Sequence, residues 1–233
     1  MATNKSLTTD EMGATFANIC AMNDIPSERV TAAIVSSVVP PLNHSVARML
    51  RKYFNVAPLW VDHKHCAGLK IRYRDPSLVG ADRLVNAVAA YALYGAPALI
   101  VDFGTATTVC VVSKKFEYLG GIIMPGVFIS MEALFEKTAK LPKVELERPE
   151  RLLGIDTVGS IQSGVYYGSA GAVDAILRRL RKELGGRARG RIRAIATGGI
   201  SNFMAEASSE IDATDVNLTL KGLKILYDIG NRV

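Results

Sequence analysis

The residues best suited to chemistry in this 233-residue sequence form a short polar run between two apolar stretches. The segment IVDFGTATTVCVV, residues 100–112, has strand-forming residues at both ends and contains Asp102, Gly104 and Thr105. A glycine lets the backbone approach a ligand closely, and hydroxyl and turn N–H groups can hold phosphate oxygens. A carboxylate at the end of a strand can hold a cation or a cation-bound water. A plain β-turn would explain the same residues, so this run alone does not decide the function.

A second candidate group lies 20 residues upstream (102 − 82), in the segment RYRDPSLVGADR, residues 72–83. Asp82 follows Gly80 and Ala81 at the start of a predicted helix, where a simple helix cap would also account for it. One helix and one strand separate Asp82 from Asp102, and that path can return the chain to its starting point. The two carboxylates can therefore converge on one cleft. Such a pair suits phosphoryl transfer, in which one acid positions a hydroxyl nucleophile and the other organises the metal around phosphate.

A third candidate is the segment ATGGIS, residues 196–201, in which a predicted strand breaks into the Gly198-Gly199 turn. A flat base or a ribose could lie against such a backbone, and a simple turn into a helix would explain the segment equally well.

The elements that must position these residues are read from hydrophobic periodicity and turn signals. Helices and strands alternate at first, which predicts an α/β protein with a parallel sheet, and an antiparallel meander of three strands then opens a second unit. We therefore expect an N-terminal domain over residues 1–96 and a C-terminal domain over residues 97–233. Helices are predicted at 9–23, 42–53, 80–95, 126–140, 157–184 and 218–230, and strands at 32–40, 57–62, 98–102, 106–114, 117–124 and 192–201.

Composition limits the classes of function. No apolar run approaches the ~20 residues that span a bilayer, and the N-terminus lacks the pattern of a secretory signal, so we expect a cytoplasmic protein without a membrane partner. Cys20, Cys66 and Cys110 lack metal-ligand spacing and are interpreted as buried free thiols. The net charge is +6, and a basic run covers residues 178–193. A nucleic-acid-binding module is an alternative for that run, but without nearby aromatic residues a solvated helix end is the preferred interpretation.

The motifs together resemble type III pantothenate kinases. The segments GADR, DFGTATT, GGIIMPG, LPKVEL, DTVGSIQSGVYYG and ATGGIS occur in the family's order, and the resemblance extends from IVSSVVPP to LTLKGLKILYD. It implies an α/β, actin-like ATPase fold built from two ribonuclease-H-like domains, and a homodimer. It also implies ATP-dependent phosphorylation of pantothenate to 4'-phosphopantothenate, the first step of coenzyme A biosynthesis.

The resemblance also assigns roles to residues. Asp82 would be the general base toward the pantothenate hydroxyl, and Asp102 would bind the monovalent cation, K⁺ or NH₄⁺, that this family uses beside ATP and Mg²⁺. The expected contacts with pantothenate are Tyr73, Gly80, Ala81, Asp82, Arg83 and Thr157. The expected contacts with ATP are Gly104 and Thr105 on the phosphate side and Gly198 and Gly199 on the adenosine side.

The sequence departs from the family pattern in two places. Nothing matches the family's N-terminal strand and DxGNT turn, so we expect the first domain to be incomplete. An internal start is the preferred explanation, since removing strands exposes an apolar sheet edge. A non-catalytic pantothenate-binding or regulatory pseudokinase, or a turn supplied by another polypeptide, are the alternatives. Cys110 stands where many family members have aspartate, which is either a neutral change or the loss of a useful carboxylate.

Overall fold

The computed structural model of the chain describes residues 6–185 and 192–230. Predictions that fall on residues 1–5, 186–191 and 231–233 lie outside the described residues, and these include the outer ends of both expected domains and part of the basic run. Within that run, Arg181 is paired with Glu210 and, at 2.7 Å, with Asp212.

The first part of the chain contains two helices and a small parallel sheet. Helix α1, Thr9–Met22, begins with a capping box between Thr8 and Glu11, and helix α2 spans Pro40–Phe54. Strand β1, Ala33–Val35, pairs with β2, Pro58–Trp60. The predicted strand over residues 32–40 is therefore too long. Pro40 opens α2 instead, because the first helical position needs no N–H donor and favours the fixed φ of proline.

A six-stranded sheet forms the centre of the molecule. Its strands are β3, Lys70–Ile71; β4, Ala98–Phe103; β5, Ala106–Val112; β6, Glu117–Pro125; β7, Arg193–Thr197; and β8, Ala213–Thr214, arranged in the order β3-β6-β5-β4-β7-β8. The predicted antiparallel meander is confirmed as β4–β5–β6, and β7 runs parallel to β4. The strands present apolar residues to both faces of the sheet, so other elements must bury both faces.

Helices cover the two faces. Helices α3, Ala81–Tyr94, and α7, Leu218–Gly230, pack on the face that presents Ala98 and Ile100 of β4. Helices α4, Val127–Glu136; α5, Thr157–Gly185; and α6, Ser201–Ala205, pack on the face that presents Leu99 and Val101. A meander continued by parallel strands between two helical layers confirms the predicted α/β class. The domain boundary at residues 96 and 97 stays a prediction.

None of the helices that the structure describes is both long enough and apolar enough to cross a membrane.

Candidate active site

The carboxyl end of β4 and the first turns of α3 bring the two predicted carboxylates together. Asn86, one helical turn after Asp82, donates from Nδ2 to Asp102 Oδ2 at 3.0 Å, and residues four apart share one face of a helix. Burial raises the pKa of the Asp102 carboxyl above its usual value, and the negative charge of Asp82 raises it further. The two acids therefore lie near each other, as expected, and we call the region around them the cleft.

Asp82 itself occupies the first turn of α3 without being its cap. The N-cap residue is Gly80, which makes no side-chain capping bond. Asp82 Oδ1 accepts a hydrogen bond from Arg83 N at 2.8 Å, while Oδ2 accepts none from the described part of the chain. A Cβ on Gly80 would lie 2.5 Å from Asp82 Oδ1, so a side chain at this position would push the Asp82 carboxylate out of its place. The arrangement leaves one carboxylate oxygen of Asp82 available to a substrate.

Glycines surround the other oxygen of Asp102. A Cβ at Gly198 would lie 2.9 Å from Asp102 Oδ1 and 2.5 Å from the carbonyl oxygen of Phe103, and one at Gly104 would lie 3.5 Å from the same Oδ1. Gly198 has a φ of +98°, which side-chain-bearing residues rarely adopt. Oδ1 therefore faces a cradle of backbone without side chains, and a carboxylate oxygen beside main-chain carbonyls is a donor set that fits a hard cation such as K⁺.

The described residues of the cleft offer few ligands to Mg²⁺. Among residues 6–185 and 192–230, no group of three His, Cys, Asp or Glu side chains is placed to hold a metal. The carboxylates of Asp82 and Asp102 are the acidic groups that this cleft offers. That fits Mg²⁺, which usually binds through one or two carboxylates together with the phosphates of a substrate.

The turn between β4 and β5 is exposed beside this cleft. Gly104 N donates to Ala106 O at 3.2 Å, and both Gly104 and Thr105 are exposed. Gly126, just before α4, packs so closely against the turn that a Cβ there would collide with Thr105 O. Gly126 thus packs against one side of the turn, and the exposed side of the turn can contact a ligand.

Tyr73 and Arg83, two of the expected pantothenate contacts, both lie near Tyr118. The Tyr73 ring lies 6.4 Å from the ring of Tyr118, whose hydroxyl is 3.4 Å from Cys110 Sγ. Burial raises the pKa of both the Cys110 thiol and the Tyr118 hydroxyl, and the charge of Arg83 acts on both in the opposite sense. Tyr73 and Arg83 therefore stand near one buried pair. The interpretation of the cysteines as free thiols is confirmed, although Cys20 is only partly buried.

Thr157 lies in a different recess from Asp82. It opens α5 and lines a cavity of about 930 Å³ together with Thr107, Met124 and Asp156. Thr107 alternates with Thr108, which pairs with Asp102, so it points to the α5 face of the sheet and Asp102 to the α3 face. Within one chain the structure does not bring Thr157 to the Asp82 cleft. Gly199, by contrast, follows Gly198 at the cleft and has open space where a side chain would be.

Two residues of this site were missed by the sequence predictions. Asn86 is 2% exposed and holds Asp102. Tyr118 is fully buried against Cys110. A single amide four residues after Asp82 in an Ala-rich helix was a signal for Asn86. Tyr118 gave only an ambiguous signal, because an aromatic residue in a strand suits a dimer or substrate wall and ordinary core equally well.

Comparisons with known proteins show which family the chain belongs to. A model of the family described as type III pantothenate kinase matches residues 1–179. A type III pantothenate kinase from Koribacter versatilis (strain Ellin345) is 46% identical over 228 residues, which cover 98% of this chain and 82% of that protein. The crystal structure of a conserved Campylobacter jejuni protein, described as a Baf-family transcriptional activator, superposes with a TM-score of 0.56 at 20% identity. That match covers 87% of this chain and 84% of the other and supports the fold alone. The chain belongs to the type III pantothenate kinase family, and it is an enzyme of the kinase type.

Proposed function

We propose that the chain phosphorylates pantothenate with ATP to give 4'-phosphopantothenate, the first step of coenzyme A biosynthesis. The observation that carries the proposal is the convergence of Asp82 and Asp102, in which the charge of one carboxylate perturbs the other. Family membership supports the same reaction. A non-catalytic pantothenate-binding protein, the alternative from the sequence, receives no support from the comparisons.

Asp82 acts in this proposal as the general base. Its Oδ1 is held by Arg83 N, so Oδ2 is free to accept the proton of the pantothenate hydroxyl as that oxygen attacks phosphorus. Gly80 and Ala81 give the substrate access to the backbone at the start of α3, where the helix dipole favours negative charge. Arg83 and Tyr73 bind the rest of pantothenate, the arginine through its positive charge.

The other residues of the cleft hold the nucleotide and the cations. Gly104 and Thr105 bind ATP phosphate through the exposed turn. The backbone of Gly198 and Gly199 contacts the adenosine. Asp102 would hold the monovalent cation, K⁺ or NH₄⁺, and Mg²⁺ would be held by the phosphates with a cleft carboxylate. When bound, these cations would supply positive charge to offset the charge on the transferred phosphoryl group.

The proposal includes a homodimer and a cytoplasmic location. The homodimer is supported by exposed apolar side chains on α4 and on the segment that leads into α5, among them Phe128, Leu153 and Ile155. Thr157 lies beside this surface, so its expected contact with pantothenate would require a second copy of the chain or a path around the strand ends. The cytoplasmic location follows from the biosynthetic reaction alone.

Replacing the base tests the reaction. In D82N we expect kcat to fall at least about 100-fold, since a positioned general base typically contributes 10²–10⁴-fold, while the KM for ATP changes little. The measurement is pantothenate-dependent release of ADP in a coupled assay. The control is D10N, which changes an exposed aspartate on α1 that is paired with Lys52. Wild-type kcat in D82N, or no pantothenate-dependent ADP release by the wild-type chain, would refute the proposal.

A further inference from the structure

Helices α3 and α7 touch each other beside Asp102 at unusually short range. A Cβ on Gly222 would lie 2.5 Å from Val85 O and 3.1 Å from Ala89 Cβ, and Gly222 is buried. The two helix backbones are therefore closer than a side chain at this position would allow. This approach brings Thr219, three residues earlier on α7, against Asn86 of α3.

A chain of hydrogen bonds runs from this contact to the cleft. Thr219 Oγ1 donates to Asn86 Oδ1 at 2.7 Å, and Asn86 Nδ2 donates to Asp102 Oδ2 at 3.0 Å. The orientation of the amide follows from its partners, because a reversed amide would turn its oxygen toward the carboxylate of Asp102. The Asp102 carboxylate therefore fixes which end of the amide faces it, and the Thr219 hydroxyl holds the other end in place. With Asn86 only 2% exposed, water cannot readily take over either bond.

The bond from Asn86 decides where Asp102 points. It is the one hydrogen bond to this carboxylate from the described residues. Thr197 pairs with Asp102 from β7, but its buried hydroxyl bonds to nothing among the described residues. With Oδ2 held on the α3 side, Oδ1 remains beside Gly104 and Gly198. Without Asn86, the carboxylate would be free to rotate about its χ2 angle.

We propose that Asn86 and Thr219 are positioning residues for the cation site. They hold Asp102 so that Oδ1 faces the monovalent cation, and they make the last helix of the chain part of the site. The inference rests on the proposed function, because that function places the cation at Asp102. The match to the family model ends at residue 179, so helix α7 lies beyond it.

The test measures cation binding directly, with thallous ion as the probe in a thallium-205 NMR titration of the full chain. T219V removes the hydroxyl at constant size, and T219S keeps it. We expect T219V and N86A to weaken Tl⁺ binding about tenfold or more, the usual effect of removing a group that orients a ligand, and T219S to stay within about twofold. The KM for pantothenate at saturating K⁺ should be unchanged in T219V. T15V is the matched control, because among the described residues the Thr15 hydroxyl bonds only to Glu11 O of its own helix.

The outcomes separate this inference from the proposed function. Equal Tl⁺ affinity in T219V and wild type, or no Tl⁺ binding by the wild type, overturns the inference. A loss that T219S shares with T219V overturns it too, since the hydroxyl would then not be the cause. Tl⁺ binding that follows the expected order in a chain that does not phosphorylate pantothenate would support the inference and refute the function.

Discussion

At the scale of single residues, the site depends on positions that carry no side chain. Gly198 and Gly199 are adjacent, yet their surroundings differ. A Cβ at Gly198 would approach Phe103 O to 2.5 Å at a φ of +98°, whereas Gly199 has open space and no left-handed backbone. The first glycine is therefore required by the close parallel packing of β7 beside β4, and the second is free to serve a ligand.

Alanine at these two positions gives a matched comparison. We expect G198A to lower the free energy of unfolding by about 1–3 kcal/mol, because it adds both a clash and an unfavourable φ. G199A should change it by less than about 0.5 kcal/mol. Urea denaturation of both variants measures the difference, and equal midpoints would show that the strand end relaxes around the new methyl group.

Chemistry at the residue scale was partly predictable from the sequence. The path of one helix and one strand was enough to predict that Asp82 and Asp102 meet. The bond from Thr219 to Asn86 was not predictable, because 133 residues separate the partners and their meeting depends on how α7 packs on α3.

At the scale of elements, the long helix α5 is tied to the loop before β8 through Asp174. This carboxylate is 6% exposed and accepts hydrogen bonds from the Ser208 hydroxyl and from Ser209 N and Oγ, both at 2.8 Å. Burial alone would raise the pKa of the Asp174 carboxyl, but these hydrogen bonds together lower it below its usual value. The ionised form is thus favoured in the folded state.

The lowered pKa gives a dependence of stability on pH with a definite sign. The contribution of Asp174 is complete above its unfolded pKa of about 3.9 and is lost as the pH falls through the lower folded value. D174N should therefore be less stable than the wild type at pH 7, by about 1–3 kcal/mol for the disrupted bonds, and this difference should shrink below about pH 4. Urea denaturation at both pH values measures it.

The control for this prediction is D156N. Asp156 is exposed and directly precedes α5. Its Oδ1 accepts a hydrogen bond from Gly159 N in the first turn of the helix, a position where asparagine serves as well as aspartate. A stability difference between D174N and wild type that is the same at pH 3 and pH 7 would contradict the prediction.

Helices and strands were predicted correctly where their hydrophobic pattern extends over many residues. Helices α3, α5 and α7 and the meander lie close to their predicted positions, because each repeats its period several times. Strands β3 and β8 were missed, since two residues leave no pattern and pairing at a sheet edge alone defines them. The prediction of residues 32–40 failed because an apolar run does not show where pairing stops.

At the scale of the whole molecule, the stretch of chain from residue 123 to residue 158 exposes many large apolar side chains. We call it the α4 surface. Its exposed large apolar side chains are Ile123, Phe128, Ile129, Leu134, Phe135, Leu152, Leu153, Ile155 and Val158. Monomeric soluble proteins rarely expose an apolar patch that is contiguous and large. Leu152, Leu153 and Ile155 are each at least 69% exposed, so intramolecular packing does not explain them. A second copy of the chain is the partner that the proposed homodimer supplies.

The α4 surface predicts the mass of the protein in solution. We expect the wild type to elute at twice the 25.1 kDa mass of the chain, and the double variant L153D/I155D to elute at 25.1 kDa, because two carboxylates would be buried unpaired in an apolar interface. Light scattering coupled to gel filtration measures both. M22D is the control, since Met22 is 84% exposed on α1, outside the α4 surface. All three proteins should have similar melting temperatures, apart from the stabilisation that dimerisation adds. A wild type of monomer mass at tens of micromolar would contradict the homodimer and, with it, any contact of Thr157 with pantothenate that depends on a second copy.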